Sequence, residues 1–258
     1  MTTLRLTVEY DGTAFCGFQW QPEVRTVAGV LENALAQLFA EPVKVTAAGR
    51  TDSGVHATGQ VVSLETDAVF PFDRLLLALR GVLPSDLSVR EATCVEAGFS
   101  ARFSARERTY VYAILNRPQR SALLAHYAAH VPLSLNLEAM REGGAHLIGE
   151  HDFRSFAAAG AQERTVRCLR RIELERRGEL LRVEVAADGF LHHMVRTIVG
   201  TLLECGTGRR TPHDLAAVLA ACDRASAGTT APAQGLYLAG VRYADGYDSF
   251  AEPPLLRC

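Results

Sequence analysis

Chemically capable side chains are concentrated in the stretch AGRTDSGVHATGQV, residues 48–61. Arg50 and Asp52 are two residues apart, so in an extended segment both side chains point to the same face. A carboxylate beside an arginine stays ionised, which suits a nucleophile, a base or an electrostatic stabiliser. Gly49 and Gly54 predict a sharp turn that a ligand can approach closely. The alternative is an Asx-type turn in which Asp52 only bonds to backbone N–H groups, and the spacing leaves both open.

Other catalytic arrangements receive less support from the sequence. Asp52, Ser53 and His56 have the side chains of a triad, but triad members normally come from separate elements. His192 and His193 are adjacent on a predicted helix, where neighbouring side chains diverge by about 100° and suit a metal poorly. Phosphate-loop, dinucleotide-binding and H-E-x-x-H motifs are absent. The sequence therefore predicts neither a metal nor a cofactor.

Composition indicates a soluble globular protein. The 258 residues are 48% hydrophobic and 22% charged, with a formal net charge of −2. No apolar run is long enough to predict a membrane span, and the first residues, MTTLRLTVEY, are typical of a strand rather than of a secretory signal. The six cysteines are scattered without a C-x-x-C pair, which predicts reduced thiols and a cytoplasmic location.

Two clusters of arginines suggest contact with nucleic acid. In ARFSARERTYVY, Arg102, Arg106 and Arg108 precede Tyr110 and Tyr112. Arginines can hold phosphates while an aromatic ring stacks on a flipped or single-stranded base. A second cluster lies in ERTVRCLRR, residues 163–171. The alternative is a solvated strand with one core tyrosine and one exposed tyrosine.

The hydrophobic periodicity predicts the order β-α-β-β-α-β, followed by a second half that repeats it. This pattern is typical of an α+β fold with two split β-α-β (ferredoxin-like) units side by side and a cleft between them. We expect an N-terminal domain over 1–105, a C-terminal domain over 106–246 and a tail over 247–258.

One predicted helix, from about residue 190 to 205, is strongly amphipathic. Its polar face carries His192, Arg196 and Gly200 at i, i+4 and i+8. A small glycine beside the arginine would let this face lie against another element, where Arg196 could reach an acid. The simpler interpretation is a solvated helix face, and Gly206 is predicted to end the helix.

Five sequence blocks resemble those of one family, the bacterial tRNA pseudouridine synthases of the TruA type. They are EYDGTAFCGFQWQP, AGRTDSGVHATGQV, ARFSARERTYVY, FLHHMVRTIVG and GLYLAGV, in the family's order between residues 9 and 241. The resemblance thus covers nearly the whole chain. This sequence differs from the family's pattern at two positions. Phe18 stands where the family often has tryptophan, with Trp20 two residues on, and Ser53 stands where alanine is frequent.

The resemblance implies an isomerase that converts uridine to pseudouridine in the anticodon stem-loop of tRNA, at positions 38–40. It also implies a homodimer that needs no cofactor and no metal. By position, Asp52 matches the catalytic aspartate, and Arg50 an arginine of the same loop. Tyr110 matches the tyrosine that stacks on the target base, and Arg196 the arginine that pairs with the aspartate. Leu236 matches an apolar residue of the uracil pocket.

Two other classes of function stay open at this point. A non-catalytic RNA-binding protein would tolerate loss of Asp52 but not loss of the arginines from 102 to 108. A metal-dependent phosphohydrolase would use Asp52 as a ligand, but the sequence offers no second acidic ligand nearby.

Overall fold

The computed structural model describes residues 1–158, 160, 164–244 and 246–257. These residues form eleven β-strands and five α-helices, a mixed α/β architecture. This confirms the fold class, while the finer arrangement as two split β-α-β units stays a prediction. In the described part of the chain, no helix combines the length and the apolar character that crossing a membrane requires.

The chain divides into two compact units. The first consists of Met1–Arg108 and Tyr237–Ala251, and the second of Thr109–Leu236 and Glu252–Cys258. The first division lies close to the domain boundary expected from the sequence. The last long strand, however, was expected in the C-terminal domain and is grouped with the N-terminal unit.

The first unit contains a sheet whose strand order is β4-β1-β3-β10. Strand β1 pairs antiparallel with β3 and β4, and β3 pairs parallel with β10. Helix α1 follows Thr26, whose hydroxyl accepts from the Gly29 N–H and caps the helix. The elements are β1 (Thr2–Tyr10), α1 (Val27–Phe39), β2 (Thr46–Ala47), β3 (His56–Thr66), α2 (Leu75–Val82) and β4 (Leu87–Val95), with β10 (Leu236–Tyr243) and β11 (Ser249–Phe250).

The second unit has the strand order β5-β9-β8-β7. Strands β8 and β9 form a hairpin at Gly178, whose φ of 60° lies in the left-handed region that glycine favours. Helix α3 begins after Asn136, whose side chain accepts from two N–H groups of the first turn. The elements are β5 (Ala105–Asn116), β6 (Ala129–Val131), α3 (Leu137–Ala145), β7 (Gly149–Asp152), β8 (Val166–Arg177), β9 (Leu180–Ala187), α4 (Met194–Gly206) and α5 (Asp214–Ala221).

Helix α4 ends at Gly206, as predicted, but begins later than predicted. It begins at Met194, after His193 in a left-handed conformation with φ 65°, so the expected placement of His192 on its polar face was wrong. Gly208, two residues beyond its C-terminus, has φ 74°. Since a non-glycine residue with positive φ is uncommon, the periodicity could not place this start.

The cysteines of the described residues form no disulfide. Cys16, Cys94, Cys168, Cys205 and Cys222 are free thiols. Burial raises the pKa of the Cys205 thiol to about 11, which keeps that thiol protonated and unreactive. The sixth cysteine, Cys258, lies outside the described residues.

Candidate active site

Asp52 lies in the loop between β2 and β3. Asp52 is half-buried, and Arg50, two residues before it, is exposed. The Val55 N–H donates to the Asp52 carbonyl at 3.2 Å, which closes a tight turn. Gly54 has φ 76° within this turn, whereas Gly49 is not among the glycines with positive φ, so only Gly54 serves the turn as expected. The loop thus has one defined conformation at the carboxylate.

The backbone of this loop is bound by the first sequence block, which follows β1. Phe15 supplies a carbonyl that accepts from the Gly54 N–H at 3.4 Å and from the Ser53 hydroxyl at 3.2 Å. The Phe18 N–H donates to the Thr51 carbonyl at 3.0 Å. Hydrogen bonds therefore flank Asp52 on both sides and leave its side chain to other partners.

Two glycines of the first block permit this close approach. A Cβ atom on Gly12 would lie 2.0 Å from the Val55 carbonyl oxygen, and one on Gly17 would lie 2.9 Å from the Thr51 carbonyl oxygen. Gly17 also has φ 85°, which side-chain-bearing residues rarely adopt. The spacing of the glycines in DGTAFCG thus reflects contact between two backbones.

The departure of this block from the family pattern leaves the loop support intact. Phe18 is buried and its ring packs at 6.3 Å from that of Tyr10, so it fills an apolar position. Trp20 is 53% exposed, and the Lys44 ammonium lies 5.5 Å from the centre of its ring. Trp20 therefore lies at the surface beside Lys44 and not in the core.

A buried polar chain supports the residue next to Asp52. The Tyr10 hydroxyl and the Thr51 hydroxyl lie 2.8 Å apart, and the Gln60 amide donates to the Tyr10 hydroxyl at 3.5 Å and to the Gly49 carbonyl at 2.6 Å. Burial raises the pKa of Tyr10 to about 12, although the hydrogen bonds to Thr51 and Gln60 lower it. Tyr10 is therefore neutral at physiological pH, and its hydroxyl stabilises the loop through the hydrogen bond with Thr51.

His56 and Ser53 do not form the triad that their spacing allowed. His56 is buried, accepts from the Gly12 N–H at its Nδ1 atom at 3.0 Å, and stacks on Tyr237 with ring centres 4.7 Å apart. Asp11 Oδ1 lies 3.2 Å from the same Nδ1 atom. Since the Ser53 hydroxyl donates to a backbone carbonyl, both residues stabilise the loop.

Tyr110 and Tyr112 lie on β5 in the second unit. Both are buried, so the expectation of one exposed tyrosine was wrong. Tyr110 meets the ring of Phe190 edge to face, with centres 5.1 Å apart. The Tyr112 hydroxyl donates to the Pro232 carbonyl at 2.7 Å, and this hydrogen bond gives Tyr112 a structural role.

Arg196 lies on α4 in the second unit and is half-buried. Its Nε atom donates to the Ala231 carbonyl at 2.8 Å, which fixes the direction of the side chain. A Cβ atom on Gly200 would lie 1.8 Å from the Thr229 carbonyl oxygen, so the helix packs directly on this segment, as the small residue suggested. Leu236, the first residue of β10, is buried.

The residues that the sequence reasoning missed are those that support the loop: Tyr10, Gly12, Gly17, Thr51 and Gln60. The glycines and Tyr10 stand in a block that was recognised only as a resemblance. The physical signal in it, two glycines at a spacing of five, predicts a backbone contact but not its partner.

Comparisons with known proteins find relatives over most of the chain. A model of the tRNA pseudouridine synthase family matches residues 6–104 and 145–244. The tRNA pseudouridine synthase A of Caldicellulosiruptor bescii is 41% identical over 244 residues, which is 94% of this chain and 100% of the relative. The proteins of that name from Halalkalibacterium halodurans and Cronobacter sakazakii are each 46% identical, over 92% and 98% of this chain and 90% and 93% of the relatives.

These matches define a class of enzyme first: the pseudouridine synthases, which are isomerases. Within that class the chain belongs to the tRNA pseudouridine synthase A (TruA) family. The five sequence blocks predicted this family.

The polar chain beneath the loop leads to a first prediction. Tyr10→Phe removes one buried hydroxyl, which typically costs about 1 kcal/mol of folding free energy, and we expect turnover to fall because Thr51 loses its anchor. Ser155→Ala is the matched control, since that buried hydroxyl bonds to Val218 and Asp223 in the second unit. Urea unfolding and initial rates measure both effects. Equal turnover in the two variants would contradict a role of Tyr10 at the loop.

Proposed function

We propose that this protein converts uridine to pseudouridine in the anticodon stem-loop of tRNA, at positions 38–40, and that Asp52 is its essential carboxylate. The observation that carries the proposal is the loop geometry. Asp52 stands at a turn whose backbone is bonded on both sides by the first sequence block. Such rigid support is what a reacting group needs in order to stay in productive geometry.

The proposed reaction is balanced without an outside reagent. The N1–C1′ bond of uridine breaks, the uracil turns, and a C5–C1′ bond forms. The proton on C5 leaves and N1 carries a proton in the product. Because no atom is gained or lost and no redox change occurs, we propose that neither a cofactor nor a metal takes part.

The other site residues have distinct proposed roles at the same uridine. Tyr110 stacks on the extruded base, as aromatic side chains do in base-flipping enzymes. Leu236 lines the apolar side of the uracil pocket. Arg50, which is exposed, holds the phosphate or ribose next to the target, and Arg196 orients the Asp52 carboxylate. These roles rest on matching positions in the family's blocks.

Two exposed arginines fit contact with the tRNA backbone. Arg102 and Arg106 are exposed, and the Arg102 guanidinium lies 5.3 Å from the ring centre of Phe103. Planar guanidinium groups bind phosphates well. We propose that these two side chains, Arg102 in the turn before β5 and Arg106 at the start of β5, hold phosphates of the substrate.

Salt dependence tests the phosphate contacts. We expect the association constant for tRNA to fall steeply with salt, because each neutralised phosphate releases counterions. Arg106→Gln should lower the slope of log K against log salt by about one and leave kcat unchanged. Fluorescence anisotropy over a salt series measures the slope. A flat response in the unmodified protein would show that these arginines do not contact the tRNA backbone.

The function itself is tested by mapping. Purified protein is incubated with unmodified tRNA transcripts, and pseudouridine is located by carbodiimide labelling and primer extension. We expect new stops at positions 38–40 and nowhere else in the transcript. Modification elsewhere would contradict the proposed site, and no modification by a folded, tRNA-binding protein would contradict the activity.

The assembly and location of the protein are also proposals. We propose a homodimer that acts in the cytoplasm, on the family resemblance and on the free thiols described above. Light scattering of the purified protein gives the mass directly, and a monomeric mass at assay concentrations would contradict the dimer.

A further inference from the structure

Arg108 differs from the two arginines before it in how its guanidinium is used. Its Nε atom donates to the Ala48 carbonyl at 3.1 Å, one terminal nitrogen donates to the Ala105 carbonyl at 3.2 Å, and the other donates to the Arg102 carbonyl at 2.5 Å. The side chain is half-buried, whereas Arg106 is exposed. Three of its donors therefore point to backbone carbonyls of the first unit.

One of these carbonyls stands at the entry to the catalytic loop. Ala48 is buried in a small core cluster with Val61, Ala101 and Tyr243. Its N–H donates to the Val61 carbonyl at 2.8 Å, which fixes it to β3. Arg108 bonds the opposite side of the same residue, four positions before Asp52 along the chain.

The other two carbonyls belong to Arg102, in the turn before β5, and to Ala105, the first residue of β5. Arg102 and Ala105 flank this turn, and the Arg108 guanidinium donates hydrogen bonds to the carbonyls of both residues. A planar fork of donors can satisfy several carbonyls at once, and a lysine ammonium at the end of a flexible chain cannot reproduce that geometry. The Arg108 side chain thus fixes both the turn before β5, which carries Arg102, and the entry to the Asp52 loop.

We propose that Arg108 is a positioning residue for the Asp52 loop and not a contact to the tRNA backbone. This inference rests on the proposed function and revises the role that the sequence suggested for Arg108. To bind a phosphate, the guanidinium would have to give up carbonyl bonds that hold the loop entry. Arg102 and Arg106 carry no such conflict at their exposed positions.

The fold does not depend on Arg108 alone. The Tyr243 hydroxyl donates to the Ala101 carbonyl at 2.9 Å, and the Ala101 N–H donates to the Ser63 hydroxyl oxygen at 2.9 Å. These bonds anchor the turn to the sheet independently. A variant of Arg108 that keeps the charge should therefore fold and still bind tRNA.

The test compares Arg108→Lys with Arg141→Lys, whose guanidinium also donates to a backbone carbonyl, so that charge is retained at both positions. We expect Arg108→Lys to lower kcat by about tenfold to a hundredfold, the size of effect that a small misplacement of a reacting group produces. Its KM, its affinity for tRNA and its salt slope should equal those of the unmodified enzyme. Arg141→Lys should leave kcat unchanged, because Arg141 on α3 has no place in the proposed site.

Glutamine variants of Arg106 and Arg108 complete the comparison. Arg106→Gln should reduce the salt slope by about one, whereas Arg108→Gln should leave the slope unchanged and lower kcat. A normal kcat in Arg108→Lys together with a reduced slope in Arg108→Gln would show a phosphate contact and overturn the inference. Circular dichroism and tRNA binding report whether each variant is folded.

A measurement on the unmodified protein decides the question should an Arg108 variant not fold. Phenylglyoxal labelling followed by peptide mass spectrometry reads each arginine separately. We expect Arg106 to react and to be protected by tRNA, and Arg108 to resist the reagent with and without tRNA. Labelling of Arg108 that tRNA blocks would overturn the inference.

Failure of the proposed function is recognised separately. The unmodified enzyme and Asp52→Asn are assayed first. An unmodified enzyme that forms no pseudouridine contradicts the proposed function. An active enzyme with an equally active Arg108→Lys contradicts only the positioning role of Arg108.

Discussion

Asp52→Asn is expected to abolish pseudouridine formation while the protein still folds and binds tRNA. Loss of an essential reacting group in other enzymes lowers kcat by about 10⁴-fold to 10⁶-fold, and we expect a loss of at least the lower size. Asparagine has the shape of aspartate but carries no charge and is neither a nucleophile nor a base at neutral pH. Single-turnover assays with enzyme in excess, and tRNA binding by anisotropy, measure the two properties separately.

The structure gives a reason why this variant should fold. The hydrogen bonds that hold the turn use the backbone of Thr51, Asp52 and Gly54 together with the Ser53 hydroxyl. A change from carboxylate to amide at residue 52 leaves those groups in place. The loop should therefore keep its conformation, and the loss of turnover should report chemistry rather than unfolding.

Ser53→Ala is the matched control for Asp52→Asn. Ser53 is the next residue of the same turn and is exposed, and alanine is frequent at this position in the family's pattern. Its hydroxyl contributes one hydrogen bond to the Phe15 carbonyl, so we expect a small loss of stability and nearly normal turnover. Pseudouridine formation by Asp52→Asn at a rate close to that of Ser53→Ala would contradict the essential role of Asp52.

Local pattern was sufficient for the long elements of the fold. Strand β1 and helix α1 follow apolar spacing directly, and the β8–β9 hairpin turns at Gly178, where glycine adopts φ 60°. Helix α2 ends at Val82, ahead of Pro84, as a proline predicts. In each case the residues that determine the element lie within it or next to it.

The elements that were missed depend on distant partners. Strands β6, β7 and β11 have two to four residues each, too few to establish a period of their own. They exist because a neighbouring strand offers unpaired backbone groups. The late start of α4 after His193, with φ 65°, is likewise set by tertiary context, since the apolar pattern of LHHMVRTIV continues across it.

The same distinction applies to the candidate site. Asp52 could be selected from the sequence because glycines and an arginine surround it within a few residues. The partners of its loop, Tyr10, Gln60 and Arg108, are between 8 and 56 positions away along the chain, and pairing at that distance leaves no periodic trace. Arg108 was therefore grouped with its neighbours Arg102 and Arg106 by spacing, while its three carbonyl bonds separate it from them.

Arg196→Ala is expected to lower turnover by about a hundredfold, the size seen when one group that stabilises charge in an active site is removed, with tRNA affinity unchanged. The structure supports a side chain of fixed direction: Nε donates to the Ala231 carbonyl, and the Arg196 carbonyl accepts from the Ala231 N–H at 3.0 Å. A guanidinium held in this way can orient a carboxylate without spending free energy on its own ordering.

Two further variants separate orientation of Asp52 from general effects of losing an arginine. Arg141→Ala is the matched control, because Arg141 on α3 also donates to a backbone carbonyl, that of Leu174, and we expect it to leave kcat unchanged. Arg196→Lys keeps the charge but loses the fork geometry, so it should recover little of the lost turnover. A loss confined to tRNA affinity in Arg196→Ala would show that Arg196 binds the RNA backbone, because a residue that orients Asp52 acts after binding and changes kcat.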